Sequence, residues 1–185
     1  MTRLARRPLA GSACAPAFAL ALAMVATGVS GHSGVDSRVS AQAPNPCALL
    51  TNDDVQSFAN ASVGDGVPSS VPSANYAGCR YAWGGGTGRF KLGVSVHDAS
   101  RMFPGMTSDQ IKQLLQKSVK PETADAVISD IGEAAVFTSD SAYYATATAF
   151  LKGRILQVNL DGEVARERKD AAIALLKSAA SRLQP

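Results

Sequence analysis

The sequence has little of what catalytic and metal-binding sites usually need. Its 185 residues include three cysteines, two histidines and a single tryptophan. It has no Cys-x-x-Cys pair, and His97 is the only histidine beyond residue 32. Protein metal sites combine several cysteines, histidines or carboxylates at recognisable spacings. The sequence therefore predicts no metal site and no cofactor.

A surplus of one charge is also missing once the N-terminus is set apart. The chain carries 18 basic and 15 acidic residues. Residues 1–31 hold three of the arginines and no acidic residue, so the remainder has 15 of each sign. Nucleic-acid binding needs an excess of lysine and arginine, and long-range steering needs a net field. We therefore expect no nucleic-acid partner.

The N-terminus has the pattern of a secretory signal. Three arginines precede residues 8–31, which are uncharged and most apolar between residues 15 and 29. A basic start, an apolar stretch and small residues predict a signal peptide over residues 1–31, with the cleavage site uncertain between residues 28 and 43. The alternative is an uncleaved anchor of about 20 apolar residues, which would include Pro8 and Pro16. With cleavage we expect a periplasmic or secreted protein without stable membrane insertion.

The remaining chain reads as one domain behind a short leader. Residues 32–46 show no apolar period and are predicted to be flexible, and residues 46–183 are long enough for one core. Removing the signal removes Cys14, so Cys47 and Cys79 are left as a pair, for which a disulfide is the default in an oxidising compartment. Closing a loop of about 33 residues stabilises a fold by roughly 3.5–4 kcal/mol in the chain-entropy model.

Periodicity and turn residues predict an α+β fold with a mainly antiparallel sheet of about five strands flanked by three helices. Capping boxes begin two helices at Thr51 and Thr107, and a third helix is predicted to begin at residues 161–163. Alternating apolar and polar residues mark strands, and Lys152-Gly153 predicts a hairpin turn. The strands are predicted at residues 78–83, 89–97, 135–138, 142–150 and 154–160. Residues 60–77 are predicted to form a long surface loop.

Three short motifs carry a resemblance. The segments Pro46-Cys47-Ala48-Leu49-Leu50-Thr51, Cys79-Arg80-Tyr81 and Ile131-Gly132-Glu133-Ala134-Ala135 resemble those of an uncharacterised family of bacterial secreted proteins and lipoproteins. The resemblance spans about residues 46–183 and implies a PsbP-like sandwich, with helices on both sides of an antiparallel sheet. It implies no activity and no catalytic residues. The chain departs from many relatives in lacking a lipid-attachment pattern.

Aromatic residues near a glycine run provide the candidate binding residues. Trp83, Tyr81, Tyr76 and Arg89 lie close to the glycine-rich turn at residues 84–88, and Trp, Tyr and Arg are typical of binding hot spots. Alternatively, Trp83 and Tyr81 share the buried face of Cys79 and fill the core. We hypothesise a non-catalytic accessory or binding module of the cell envelope. Its partner would be a protein, peptide or small ligand, bound by the open face of the sheet or by the hairpin tip.

Two other functions stay open at this point. A small extracytoplasmic hydrolase would use His97, the one available base, with Asp98 beside it. That hypothesis would fail if His97 were fully exposed, with no Ser, Cys or acid within hydrogen-bond reach. A structural protein tethered by an uncleaved N-terminus is the second alternative. We assign no catalytic residue.

Overall fold

One antiparallel sheet of seven strands organises the protein. The computed structural model describes residues 45–71, 76–84, 90–162 and 165–183, which all fall within the compact unit Ser40–Pro185. The strand order across the sheet is β1-β2-β3-β7-β6-β5-β4. The strands are β1 Val67–Val71, β2 Tyr76–Trp83, β3 Phe90–Asp98, β4 Ala126–Ile128, β5 Ala134–Ser141, β6 Tyr144–Leu151 and β7 Arg154–Asp161.

Four α-helices accompany the sheet in the described residues, together with 3₁₀ helices at Pro46–Ala48 and Ala165–Arg168. The α-helices are α1 Asn52–Ala59, α2 Ala99–Met102, α3 Ser108–Ser118 and α4 Lys169–Arg182. Both predicted capping boxes are confirmed. Thr51 and Asp54 exchange side-chain and backbone hydrogen bonds at the start of α1, and Thr107 and Gln110 do so at the start of α3.

The main core lies between α1, α4 and one face of the sheet, which we call the α1/α4 face. Every second residue of the central strands points there, and Leu92, Val158 and Phe137 are fully buried. The alanines at positions 145, 147 and 149 of β6 are also fully buried on this face. Their small side chains let the buried stripe of α4, which includes Leu176, lie close to the sheet, as the sequence had indicated.

The described helices cover the opposite face of the sheet, which we call the α2/α3 face, at one end only. Val136, Phe150 and Ile155 of the sheet form a second apolar cluster there with Ile111 and Leu115 of α3. Helices therefore pack on both sides of the sheet. The remainder of the α2/α3 face carries polar side chains, and it becomes the candidate site described below.

Two long-range connections, a disulfide and a group of hydrogen bonds, link residues 47–54 to the rest of the domain. The predicted Cys47–Cys79 disulfide is present and connects the first 3₁₀ helix to β2. At the other end of the chain, Arg182 Nη1 donates to Asp54 Oδ2 at 2.6 Å and to the carbonyl of Leu49 at 2.9 Å. The N- and C-terminal helices are thus fastened to each other on the α1/α4 face.

The sheet is larger than the sequence indicated. The prediction of five strands and three helices is wrong in number, because the described residues contain seven strands and four α-helices. Strand β1 lies within residues 60–77, which we expected to be a loop, since Val-Pro-Ser-Ser-Val has no alternating pattern. It pairs only with β2, and a proline is tolerated on such an edge strand. Strand β4 and helix α2 have three and four residues, too few to show a period.

Of the remaining predictions, one is confirmed, one is displaced along the chain, and several lie outside the described residues. The Lys152-Gly153 turn is confirmed, with φ values of 49° and 71°. The last helix begins at Lys169, later than expected, after a 3₁₀ segment. The predicted signal peptide, most of the leader, residues 85–88 of the glycine turn and Arg89 lie outside the described residues. Among the described helices, none has the length and apolar character needed to cross a membrane.

Candidate functional site

The candidate site is the uncovered polar part of the α2/α3 face, which we call the polar platform. It arises because the polar half of each alternating strand points away from the α1/α4 core. The strand register aligns its central row across five strands, from β2 to β5. The platform consists of Arg80, Lys91, Gly93, Thr138, Tyr144, Thr146, Gln157, Asn159 and Asp161.

Side chains of the platform hydrogen-bond to one another across β6 and β7. Thr146 Oγ1 donates to Asn159 Oδ1 at 2.9 Å, and Tyr144 Oη donates to the same oxygen at 3.4 Å. One step along the strands, Gln157 Nε2 donates to Thr148 Oγ1 at 3.5 Å. These bonds orient the side-chain amide of Asn159. Its oxygen accepts from the hydroxyls of Thr146 and Tyr144, so its NH₂ group points away from them.

Exposure differs from row to row. Ser95 and Thr148, which share a row with the partly exposed Gln157, are 1% and 6% exposed. Asn159 and Thr146 in the next row are partly exposed, and Tyr144 in the outermost row is 40% exposed. The platform therefore reaches open solvent at Tyr144 and is bordered on its other side by the buried hydroxyl groups of Ser95 and Thr148.

Gly93 interrupts the row of side chains at its centre. It pairs with Arg80 on one side and with Asn159 on the other. Glycine inside a strand costs roughly 0.5–1 kcal/mol relative to alanine. A Cβ at position 93 would come no closer than 3.9 Å to the Cβ of Asn159 or the carbonyl oxygen of Cys79. Packing against the described residues therefore does not require a glycine here.

Charge on the platform is nearly balanced. Lys91 of β3 lies directly opposite Asp161 of β7 in the register, and both side chains are exposed. Arg80 of β2 is exposed and lies opposite Gly93. The centre of the platform, from Gly93 to Thr138, carries hydroxyl and amide groups without a formal charge.

The candidate binding residues from the sequence do not form a group on this platform. Trp83 is 9% exposed and Tyr81 2% exposed, both on the α1/α4 face. Trp83 meets the Phe58 ring edge-on at 5.7 Å between centroids, and Tyr81 donates its hydroxyl to the carbonyl of Leu50 at 2.7 Å. Arg89 and the side chain of Tyr76 lie outside the described residues. The role of these four residues in binding stays a prediction, and the geometry directs attention to the platform instead.

A serine–histidine pair lies at the buried edge of the platform. His97 Nε2 and Ser95 Oγ are 3.3 Å apart on the same strand, and burial lowers the pKa of His97. His97 is half-buried with a hydroxyl in reach, so the condition that would have eliminated the hydrolase hypothesis is not met. Asp98 serves another purpose, because its Oδ1 accepts hydrogen bonds from the backbone and hydroxyl of Ser100 at the start of α2.

Two grooves elsewhere on the domain were compared with the platform as candidate binding sites. A groove of about 400 Å³ runs between α1 and α4 beside Asp53 and Phe58, and one of about 510 Å³ lies between Gly132 and Lys177. The described residues include no group of three or more His, Cys, Asp or Glu arranged to hold a metal ion. The platform is distinguished from both grooves by its hydrogen-bonded polar side chains.

The motifs behind the family resemblance have structural roles. Cys47 and Cys79 form the disulfide, and Thr51 caps α1. Gly132 has a φ of 60°, and a Cβ there would lie 2.5 Å from the carbonyl oxygen of Phe150. That position therefore requires glycine, because the chain crosses close over the β6–β7 hairpin.

Fold and site together define a disulfide-linked α+β domain with a polar platform on one face of its sheet. Comparison with known proteins adds nothing to this description: no family model, no curated protein and no solved structure matches the chain.

Sequence reasoning found the polar faces but not the site. The alternation along β3 placed Lys91, Gly93 and Ser95 on a wetter face than Leu92 and Val94. The sequence could not show that β7 and β6 follow β3 across the sheet, which brings Asn159 and Thr146 beside Gly93. A glycine at a polar position inside a regular strand was the one local signal available.

Proposed function

We propose that the protein is an exported, disulfide-stabilised, non-catalytic binding module of the bacterial cell envelope, with the polar platform as its ligand site. The observation that carries this proposal is the set of aligned, hydrogen-bonded polar side chains. Antiparallel sheets often have one solvated face, so polarity alone would mean little. Here the polar side chains of β6 and β7 hydrogen-bond to one another, and their row continues to Gly93, which leaves a gap beside Asn159.

Export is supported by two independent features. The first is the N-terminal pattern of three arginines followed by an uncharged apolar stretch. The second is the Cys47–Cys79 disulfide, a bond that persists mainly outside the cytoplasm. The resemblance to secreted bacterial proteins agrees with both and is part of the proposal. N-terminal sequencing of the mature protein tests it, since an intact Met1 would favour the tethered alternative.

A hydrolase is the second candidate, favoured by the Ser95–His97 pair. Against it, the side chain that would have to attack a substrate is almost completely enclosed, since Ser95 is 1% exposed. A nucleophile must reach the reacting carbonyl at close range. We expect no labelling of the exported protein by a fluorophosphonate probe. Labelling that disappears in Ser95→Ala would establish the hydrolase in place of a binding module.

In-cell photo-crosslinking tests the platform directly. A photo-reactive phenylalanine analogue replaces Tyr144, an exposed aromatic residue at the rim, in the full chain expressed in its own host. The matched control carries the analogue at Glu122, which is exposed and lies outside the platform. We expect light-dependent adducts at position 144 and not at position 122. Equal adduct formation at both positions, or none at position 144, would refute the platform as the binding surface.

A further inference from the structure

We propose that the ligand of the polar platform is a saccharide, seated across Gly93 between Arg80 and Asn159. This inference rests on the proposed function and names the chemistry of what the platform binds. It follows from the absence of a side chain at Gly93, the groups that surround it, and the charges that balance there.

The gap at Gly93 is the starting point. Three reasons normally place glycine in a strand: a positive φ, a neighbour too close for a Cβ, or a ligand that approaches the backbone. Gly93 has no positive φ, and within the described part of the chain a Cβ there would have only normal contacts at 3.9 Å. The approach of a ligand to the backbone is the reason that remains. It agrees with the position of Gly93, which is partly exposed on the polar side of the sheet.

The groups around the gap suit hydroxyls. Arg80 supplies guanidinium donors on one side of Gly93, and Asn159 supplies an amide on the other. The Asn159 oxygen accepts from Thr146 and Tyr144, so its NH₂ group is oriented while no described residue accepts from it. The Thr146 hydroxyl oxygen keeps acceptor capacity after donating. A sugar ring with adjacent hydroxyls, each donor and acceptor at once, matches these alternating groups.

The length of the central row of the platform is sufficient for more than one sugar ring. The central row runs Arg80, Gly93, Asn159, Thr146, Thr138 over five strands. At about 4.8 Å between strands, it spans about 19 Å. At the rim, the ring of Tyr144 is 40% exposed and offers an apolar surface beside the polar row. Several linked sugar units can therefore lie along the row.

Other ligand classes fit less well. Peptides gain affinity from backbone pairing at a sheet edge or from apolar anchors in pockets, and the central row is neither an edge nor an apolar pocket. An anion would meet Arg80 and Lys91 but also Asp161 opposite Lys91, so the platform carries only one net positive charge. A lipid chain would have to displace water from hydroxyl and amide groups without replacing their hydrogen bonds.

Glycan-array screening of the full chain, as exported and processed by its host, tests this assignment. It is followed by NMR titration with tetraacetylchitotetraose, cellotetraose and maltotetraose, and with any sugar the array selects. We expect saturable binding, with amide shifts concentrated at Gly93, Thr146 and Asn159. The variant Gly93→Gln should fill the gap and weaken binding by about tenfold or more, the equivalent of losing one good contact.

Controls separate the outcomes. Gly64→Gln makes the same change in an exposed loop where a Cβ meets nothing within 4 Å, and it should bind like the unaltered protein. Asn159→Ala gives a second weakened variant should Gly93→Gln fold poorly. Binding that Gly93→Gln and Asn159→Ala both leave unchanged would overturn the assignment. If no glycan binds while position 144 crosslinks to a protein, the saccharide is wrong and the binding module stands. If position 144 forms no adduct at all, the proposed function itself fails.

Discussion

Three glycine-to-alanine substitutions separate the structural from the functional uses of glycine in this fold. Gly132→Ala introduces a side chain at a φ of 60°, which costs about 1–2 kcal/mol for a non-glycine residue. Its Cβ would also lie 2.5 Å from Phe150 O and 2.9 Å from Leu151 Cβ. Forcing those atoms apart adds about 1–3 kcal/mol. We therefore expect Gly132→Ala to lower the free energy of unfolding by about 2–5 kcal/mol.

Two matched substitutions isolate each contribution. Gly153→Ala has a comparable φ of 71° with nothing within 4 Å of the new Cβ, so only the conformational cost of about 1–2 kcal/mol applies. Gly93→Ala has neither penalty and removes the strand cost of glycine, so we expect stabilisation of about 0.5–1 kcal/mol.

Urea denaturation followed by fluorescence of Trp83 measures all three. Trp83 is the only tryptophan and is 9% exposed, so its emission reports on the core. Comparable m-values among the variants would show that midpoint shifts reflect stability. A Gly132→Ala loss no larger than that of Gly153→Ala would refute the close approach over the β6–β7 hairpin. Clear destabilisation by Gly93→Ala would give that glycine a structural purpose and remove the basis for a ligand there.

Three further predictions concern the disulfide and two titrating groups. Replacing Cys47 and Cys79 together with serine should lower the free energy of unfolding by roughly 3.5–4 kcal/mol, measured by urea denaturation against the parent protein with its disulfide intact. Loss of less than about 1 kcal/mol would contradict the long-loop argument. Burial by itself raises the pKa of Asp54, but hydrogen bonds from Arg182 and Thr51 outweigh it and hold the pKa below 3.8. Its stabilising effect is therefore present above pH 3.8 and is lost as the pH falls through the native pKa, a loss that should be absent in Asp54→Asn. Burial lowers the pKa of His97 below 6.5, so the unfolded chain binds its proton more readily. Stability should therefore rise with pH from the native pKa up to about 6.5, and thermal melts of His97→Gln should show a smaller rise over that range.

Local chemistry was sufficient for the parts of the fold that form within a few residues. The Thr51–Asp54 and Thr107–Gln110 capping boxes, the Lys152-Gly153 turn and the alternation along β3 depend on neighbours three positions apart or fewer. Each was predictable because the groups that satisfy one another are close in the chain. The disulfide was predictable for a different reason, since only two cysteines follow the predicted signal peptide.

Short elements at the sheet edges required tertiary structure. Strand β1 has a proline and two serines and no apolar alternation, and it becomes a strand because the outer edge of β2 supplies its hydrogen bonds. The three residues of β4 are ordered in the same way by β5. Helix α2 begins where Asp98 caps it directly after β3, and four residues are too few for a helical period.

The difference between what the sequence predicted and what only the tertiary structure decided is clearest for the two groups of candidate residues. The sequence by itself predicted a signal peptide, the disulfide, the α+β class of the fold and the polar faces of the strands. The sequence left open whether Trp83 and Tyr81 lie in the core or on a surface, and packing against Phe58 and Leu50 places them in the core. It could not place Asn159 beside Gly93 and Arg80, because β7 lies far along the chain from the consecutive strands β2 and β3, and its neighbours in the sheet are set by burial of the opposite face. Alternation determines which way a side chain points, whereas strand order determines what lies beside it.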